Sequence, residues 1–187
     1  MPRIGIIGPS GTGKTTLCKL LAEQLNYPIY TLSLRYYPLS LKWEDLIAQA
    51  KSQIEEYQYQ AALWIHSKQL EYAEEWSSKP NILLDRIGVV EVVLYSWYLN
   101  PELKDSKRFQ DLLTWGNEWV IQNLDAIILL RYLDSYEDDP YRPSKDFRLM
   151  ELYYTWVNSI ALPVLDLPSW SLEKRAEESI DFIAKLS

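Results

Sequence analysis

Short unbroken apolar runs alternate with longer stretches in which apolar residues recur every three or four positions. Ile4-Gly5-Ile6-Ile7 is a run of the kind that fills a buried strand, and Leu17, Leu20, Leu21 and Leu25 then mark one face of a helix. Tyr27-Pro28 breaks that pattern, and residues 29–34 read as a second strand. Ser40 is placed to cap a long helical region over residues 41–77. There Leu46, Ile47, Ala50, Ile54, Tyr57, Ala61 and Leu63 or Trp64 form an apolar stripe, while Lys51, Glu55, Glu56 and Glu71 face outward. This region reads as one helix or as two meeting near residues 57–60. Lys79-Pro80 stops it, and residues 81–85 form a short strand ending on a carboxylate. Further helices are predicted over 88–99, 105–122, 145–159 and from 171 to the end, with strands at 126–130 and 162–167.

Strands of this type separated by helices predict an α/β fold, a five-stranded parallel sheet covered by helices on both faces. Ligands bind such sheets beyond the carboxyl ends of the strands. That rule puts the segment after Ile7, the segment after Leu34, Asp85 and the loop after Leu130 on one edge. There is no repeat, low-complexity tract or long linker, so residues 1–187 read as a single domain.

The first strand-to-helix connection carries the chemistry. Gly8-Pro9-Ser10-Gly11-Thr12-Gly13-Lys14-Thr15 fits G-x-x-x-x-G-K-[ST], in which glycines let backbone N–H groups turn inward around phosphates. Lys14 can reach the terminal phosphates, the Thr15 hydroxyl can ligate Mg²⁺, and the helix start at Thr15-Thr16 points its positive end at the anion. Gly8 to Thr16 is therefore assigned to a nucleoside triphosphate. Asp85-Arg86 is the second candidate: a carboxylate ending a buried strand can hold Mg²⁺ with Thr15 or orient an attacking oxygen, and Arg86 can clamp a phosphate. An ion pair capping the strand is the plainer reading of the same two residues.

Composition narrows the partners. A net charge of −7 argues against a protein built to coat nucleic acid. The single cysteine, Cys18, excludes a disulfide framework and reads as a packed helix residue. No apolar run approaches the ~18 residues of a membrane span, and the first strand begins too early for a signal peptide. The expectation is a cytoplasmic protein with no membrane association. A homodimer is compatible with the sequence.

The phosphate loop, Leu83-Leu84-Asp85-Arg86, and Gly88, Glu91 and Tyr95 on the next helix together resemble the P-loop nucleoside and nucleotide kinases. The nicotinamide-riboside kinase-like AAA-type branch and phage deoxynucleotide kinases are the nearest in pattern. Asp138-Asp139-Pro140-Tyr141-Arg142-Pro143, followed by Phe147-Arg148, is similar to the lid segment of that branch. The resemblance implies a P-loop NTPase fold with a lid near residues 134–148, and catalytic roles for Lys14, Asp85, Arg86, Arg142 and Arg148. It also puts Arg35 where such kinases contact the acceptor and Trp170 near the adenine. Glu91 stands where relatives usually have Asp, Pro140 replaces a usual Gly, and Ile87 follows Arg86 where thymidylate kinases carry an aromatic or histidine. Thymidylate specificity therefore does not follow.

The implied activity is Mg²⁺-dependent transfer of the ATP γ-phosphoryl to a small nucleotide. A nucleoside kinase and a nucleotide-dependent ATPase or switch are the alternatives. Nucleoside kinases of this resemblance often place a base at the end of the second strand, but Thr31-Leu32-Ser33-Leu34-Arg35 offers a cation and no carboxylate. A monophosphate acceptor, with Arg35 and Arg86 offsetting its charge, fits better. Trp64, Tyr57, Tyr59 and His66 on the long helix read as core or as acceptor contacts.

Overall fold

The computed structural model describes residues 2–76, 78–79, 81–133 and 146–186. Strands β1 (Arg3–Ile7), β2 (Ile29–Thr31), β3 (Ile82–Asp85), β4 (Ala126–Leu130) and β5 (Val164–Leu167) form one sheet in the order β2-β3-β1-β4-β5. Every neighbouring pair is parallel, and the register sets Ile6 beside Asp85, Ile7 beside Leu129, and Leu130 beside Leu167. The carboxyl ends are thus level along one edge, and the chain segments leaving them converge there.

Successive strand side chains point to opposite faces, which splits the apolar residues into two cores. Ile4, Ile6, Leu83, Ile128 and Leu130 pack with Leu17 and Leu21 of α1 (Lys14–Leu25) and Ala176 and Ile183 of α7 (Leu172–Lys185). Ile7, Ile82, Leu84, Ile127 and Leu129 face the opposite way, toward α3 (Lys51–Trp76), α4 (Val89–Leu99), α5 (Lys107–Asn123) and α6 (Phe147–Val157). Burial of each such Leu or Ile contributes roughly 1.5–3 kcal/mol. The three central strands β3, β1 and β4 contribute to both cores, because helices cover both of their faces.

Three boundaries differ from the sequence reading. β2 stops at Thr31, not residue 34: its partner β3 ends at Asp85, so after Leu32 N donates to Asp85 O there is no ladder left to follow. The chain turns instead into a 3₁₀ turn, Leu34–Tyr36, with the Ser33 hydroxyl accepting from Arg35 N. The region 41–77 divides into α2 (Trp43–Ile47) and α3, with the break at residues 48–50 and α3 continuous through 57–60. Gln53 reaches back to accept from Ala50 N at 3.2 Å, a cap that an alanine at this position does not announce. Residue 42, not Ser40, caps α2. Most of the segment expected to form a lid, including Asp138, Asp139, Pro140 and Arg142, lies outside the described residues.

Candidate active site

β1 delivers the chain to Gly8, where a Cβ would lie 2.4 Å from the Leu130 carbonyl oxygen at the end of β4. Only glycine permits that approach. Past Pro9, Ser10, Gly11 and Thr12 the loop closes on Gly13, which caps α1 in the left-handed conformation and leaves the first amides of Lys14, Thr15 and Thr16 at an open helix end. Lys14 Nζ lies inside the curve, donating to Gly8 O at 2.5 Å and Pro9 O at 2.7 Å. Thr15 and Thr16 are exposed at the mouth.

Two distant side chains brace the loop. Tyr95 of α4 accepts from Ser10 N at 2.8 Å and meets the Ser10 hydroxyl at 2.9 Å. Arg175 of α7 is 2% exposed and donates to Thr12 O, Arg131 O and Pro168 O at 2.6–3.0 Å. One guanidinium thus joins the phosphate loop to the segments leaving β4 and β5. Burial pulls its pKa down.

Asp85 ends β3 with 1% exposure and accepts from Thr15 Oγ1 at 2.7 Å through Oδ2. Its Oδ1 is buried and takes no hydrogen bond. An orphaned carboxylate oxygen beside a hydroxyl, next to a phosphate cradle, suits Mg²⁺, which takes one or two protein oxygens and completes its octahedron with phosphate and water. Cys18 beneath the loop is a packed thiol, its pKa pushed up by burial and by Asp85.

Arg86 has φ 79°, a left-handed backbone costing roughly 1–3 kcal/mol outside glycine. Its guanidinium stands 3.9 Å from Glu91 Oε1. Glu91 in turn accepts from Tyr153 of α6 at 2.7 Å and from Ile87 N at 3.0 Å. Burial opposes the charge on Arg86, but Glu91 and the tyrosines around it outweigh burial and hold it as a cation.

Arg86 and Ser10 line an open cleft, and Arg35 of the 3₁₀ turn lines it too. Leu32, Leu34, Leu41, Leu46 and Val92 supply apolar wall, and Gln58 and Tyr57 of α3 add polar atoms. Ser96 of α4 lies within 3.3 Å of Gln58 Oε1, and Leu41 N donates to Tyr57 OH at 3.2 Å, which ties the segment before α2 to α3.

A protein-family model described as an AAA domain matches residues 3–175. The chain belongs to the AAA domain family. A search of curated proteins finds no match to the sequence. Among solved structures, a deoxyadenosine kinase from M. mycoides with dCMP and dCDP bound is similar at TM-score 0.69 and 15% identity, over 98% of this chain and 99% of that one. Thymidylate kinase from Candida albicans is similar at 0.62 and 14%, over 98% and 91%. The YorR protein of Bacillus subtilis, in complex with phosphorylated GDP, is similar at 0.52 and 16%, over 97% and 95%. At these identities the likeness is one of fold: this AAA domain has the α/β P-loop architecture expected from its sequence.

Several candidates stand elsewhere in the AAA domain. Arg148 does not line the cleft. Its side chain is 76% exposed and paired with Asp146 at 2.6 Å, because Asp146 caps α6 and offers its carboxylate two residues away. His66 stacks on Trp115 at 5.8 Å. Trp64 packs on Tyr37 and lines a separate depression, and Tyr59 lies under Arg108. Trp170 is 37% exposed, with the Lys174 ammonium 4.9 Å from its ring centroid. Glu173-Lys174-Arg175 fits the kinase resemblance as a closing segment, but the sequence assigns no role to Arg175 and does not single out Gln58 or Tyr153. Nothing local marks their roles, since each acts on a partner 38 to 163 residues away.

Proposed function

We propose that this chain is a Mg²⁺-dependent kinase that transfers the γ-phosphoryl of ATP to a small nucleoside monophosphate, ribo or deoxy, releasing the diphosphate and ADP. The observation that carries the reading is the cleft beside the phosphate loop. Arg35 and Arg86 both line it, and its single acidic lining residue among the described residues is Glu91. Glu91 accepts from Ile87 N and from Tyr153 OH and stands beside Arg86, partners that orient it within the wall, and Asp85 at the end of β3 is the alternative base for a sugar hydroxyl. An ionised phosphate acceptor needs no base and does need cations. The catalytic work is positioning and charge neutralisation. The loop amides and Lys14 hold the donor phosphates, Thr15 and Asp85 hold the metal, and Arg86 with Arg35 orients the acceptor. Bound Mg²⁺ supplies charge stabilisation on the phosphoryl oxygens. The apolar wall takes the sugar and base, with Gln58 as the hydrogen-bonding group.

The rival is a nucleoside kinase, the activity named for the M. mycoides structure. Coupled ADP release across matched nucleosides and monophosphates decides between them, with Lys14→Ala as the control. Monophosphates are expected to be used and nucleosides to be poor. The reverse order would reassign the acceptor, and near wild-type turnover in Lys14→Ala would remove the kinase reading altogether.

A further inference from the structure

Gln69 of α3 is 0% exposed, and both ends of its carboxamide are in use. Nε2 donates to Ile87 O at 3.1 Å, and Oε1 accepts from Val89 N at 3.2 Å. The carbonyl can only accept and the amide N–H can only donate, so the orientation of the carboxamide is forced. Between the two contacts lies Gly88, at φ 85° and ψ −128°, where a Cβ would fall 2.5 Å from Gln69 Cδ. Gly88 caps α4 but has no side chain to receive a helix amide, and Gln69 performs that service from a neighbouring helix.

This turn carries Arg86, whose left-handed backbone persists only if its surroundings over-determine it. Three groups do so. Arg86 N donates to Ile6 O of β1, Ile87 N donates to Glu91, and Gln69 grips both sides of Gly88. Glu91 also touches the guanidinium and lines the cleft, whereas Gln69 does neither. Three helical turns before Gln69, the same helix presents Tyr57 and Gln58 to that cleft.

We propose that Gln69 is a positioning residue for phosphoryl transfer. Its carboxamide locks the turn over residues 86–89 and so fixes Arg86 relative to the acceptor groups carried by α3. The proposal rests on the reading of the cleft as the acceptor site. A group displaced by about 1 Å in a reacting constellation can lose about a hundredfold in rate, so a buried anchor outside the site can govern the rate.

Gln69→Met keeps the length and removes both hydrogen bonds, and Gln69→Glu keeps an acceptor for Val89 N. Acceptor kcat/KM should fall at least about tenfold in Gln69→Met, as expected when buried amide partners are left unpaired, with the KM for ATP within about twofold of wild type. Affinity for the best-bound of dAMP, dCMP, dGMP and dTMP is then measured by calorimetry in the Arg86→Ala background. There Gln69→Met should have no further effect, because its influence runs through Arg86. An equal loss with and without Arg86, or a matching rise in the KM for ATP, would reduce Gln69 to a structural cap. If Gln69→Met does not fold, the same cycle is run with Gln69→Glu. Should the wild type bind and phosphorylate neither these nor the matching ribonucleoside monophosphates, the reading of a monophosphate acceptor fails on its own. Gln69 is still tested by the Arg86 side-chain NMR signal, which must shift or broaden in the variant; an unchanged signal overturns the proposal.

Discussion

Thr15 Oγ1 donates to Asp85 Oδ2 at 2.7 Å, so the first turn of α1 is tied to the last residue of β3 through the two groups best suited to share a metal. The remaining Asp85 oxygen is buried without a partner. Asp85→Asn preserves size and removes the charge. Turnover should fall about a hundredfold or more while the KM for ATP changes much less, since the carboxylate acts on charge developing in the transition state. Steady-state kinetics in excess Mg²⁺ check this. An unchanged turnover would leave Asp85 as a strand-end partner of Thr15 only.

Arg35 belongs to a 3₁₀ turn and lines the proposed acceptor cleft, on an element separate from the phosphate loop that contributes Ser10 to the same cleft. Arg35→Ala should raise the KM for a monophosphate about tenfold or more, the scale of one charge-assisted phosphate contact. The KM for ATP and the slow use of the matched nucleoside should stay as they are. Equal losses for monophosphate and nucleoside would show that Arg35 does not read the acceptor phosphate.

Arg175 binds carbonyls of three separate segments, from Thr12, Arg131 and Pro168. A lysine cannot reach all three in that planar fork. Arg175→Met should destabilise the protein by about 2–4 kcal/mol, because buried carbonyls lose a charged donor, and should weaken ATP binding. Arg175→Lys should recover only part of the loss. Denaturant melts with and without ATP measure both effects; a stable Arg175→Met protein with normal ATP affinity would contradict the bracing role.

Asp146 caps α6, and its carboxylate is held down to about pH 2, chiefly by the Arg148 side chain, with Arg148 N and Tyr98 OH adding to it. A folded-state pKa depressed below the unfolded value of about 3.9 contributes stability above that value and loses it as pH falls toward about 2. Asn also caps helices well, so Asp146→Asn isolates the charge. The gap in melting temperature between the two proteins should be full near neutral pH, narrow below about 4, and close only below about 2. A gap independent of pH would assign it to packing.

The phosphate loop and the strand-end carboxylate were legible because their chemistry is local. Gly8 to Thr15 must curve the backbone around phosphate within one connection, and Asp85 closes an apolar run, so spacing alone marks both. The strands over 82–85 and 126–130 were legible because strands buried on both faces carry uninterrupted apolar residues. The end of β2 was not, since Ser33 and Leu34 suit a strand by themselves and leave it only because β3 has no residue left to pair with them. The break between α2 and α3 escaped for a similar reason: its cap is the Gln53 side chain reaching back, in a stretch whose apolar spacing continues on both sides.

By itself, then, the sequence determined which backbone could wrap a phosphate chain, which runs would be strands, and that a carboxylate and an arginine would meet the phosphate loop at one sheet edge. Packing alone settled that Arg86 faces Glu91, that Arg35 and Arg86 line one cleft, and that Arg148 pairs with Asp146. It also decided that Gln69, Tyr95, Tyr153 and Arg175 serve the site from other helices. The physical reason is range. Phosphate wrapping and strand burial are written in neighbouring residues, whereas a buried hydrogen bond between elements exists only once packing has removed water from both partners and left each with no other.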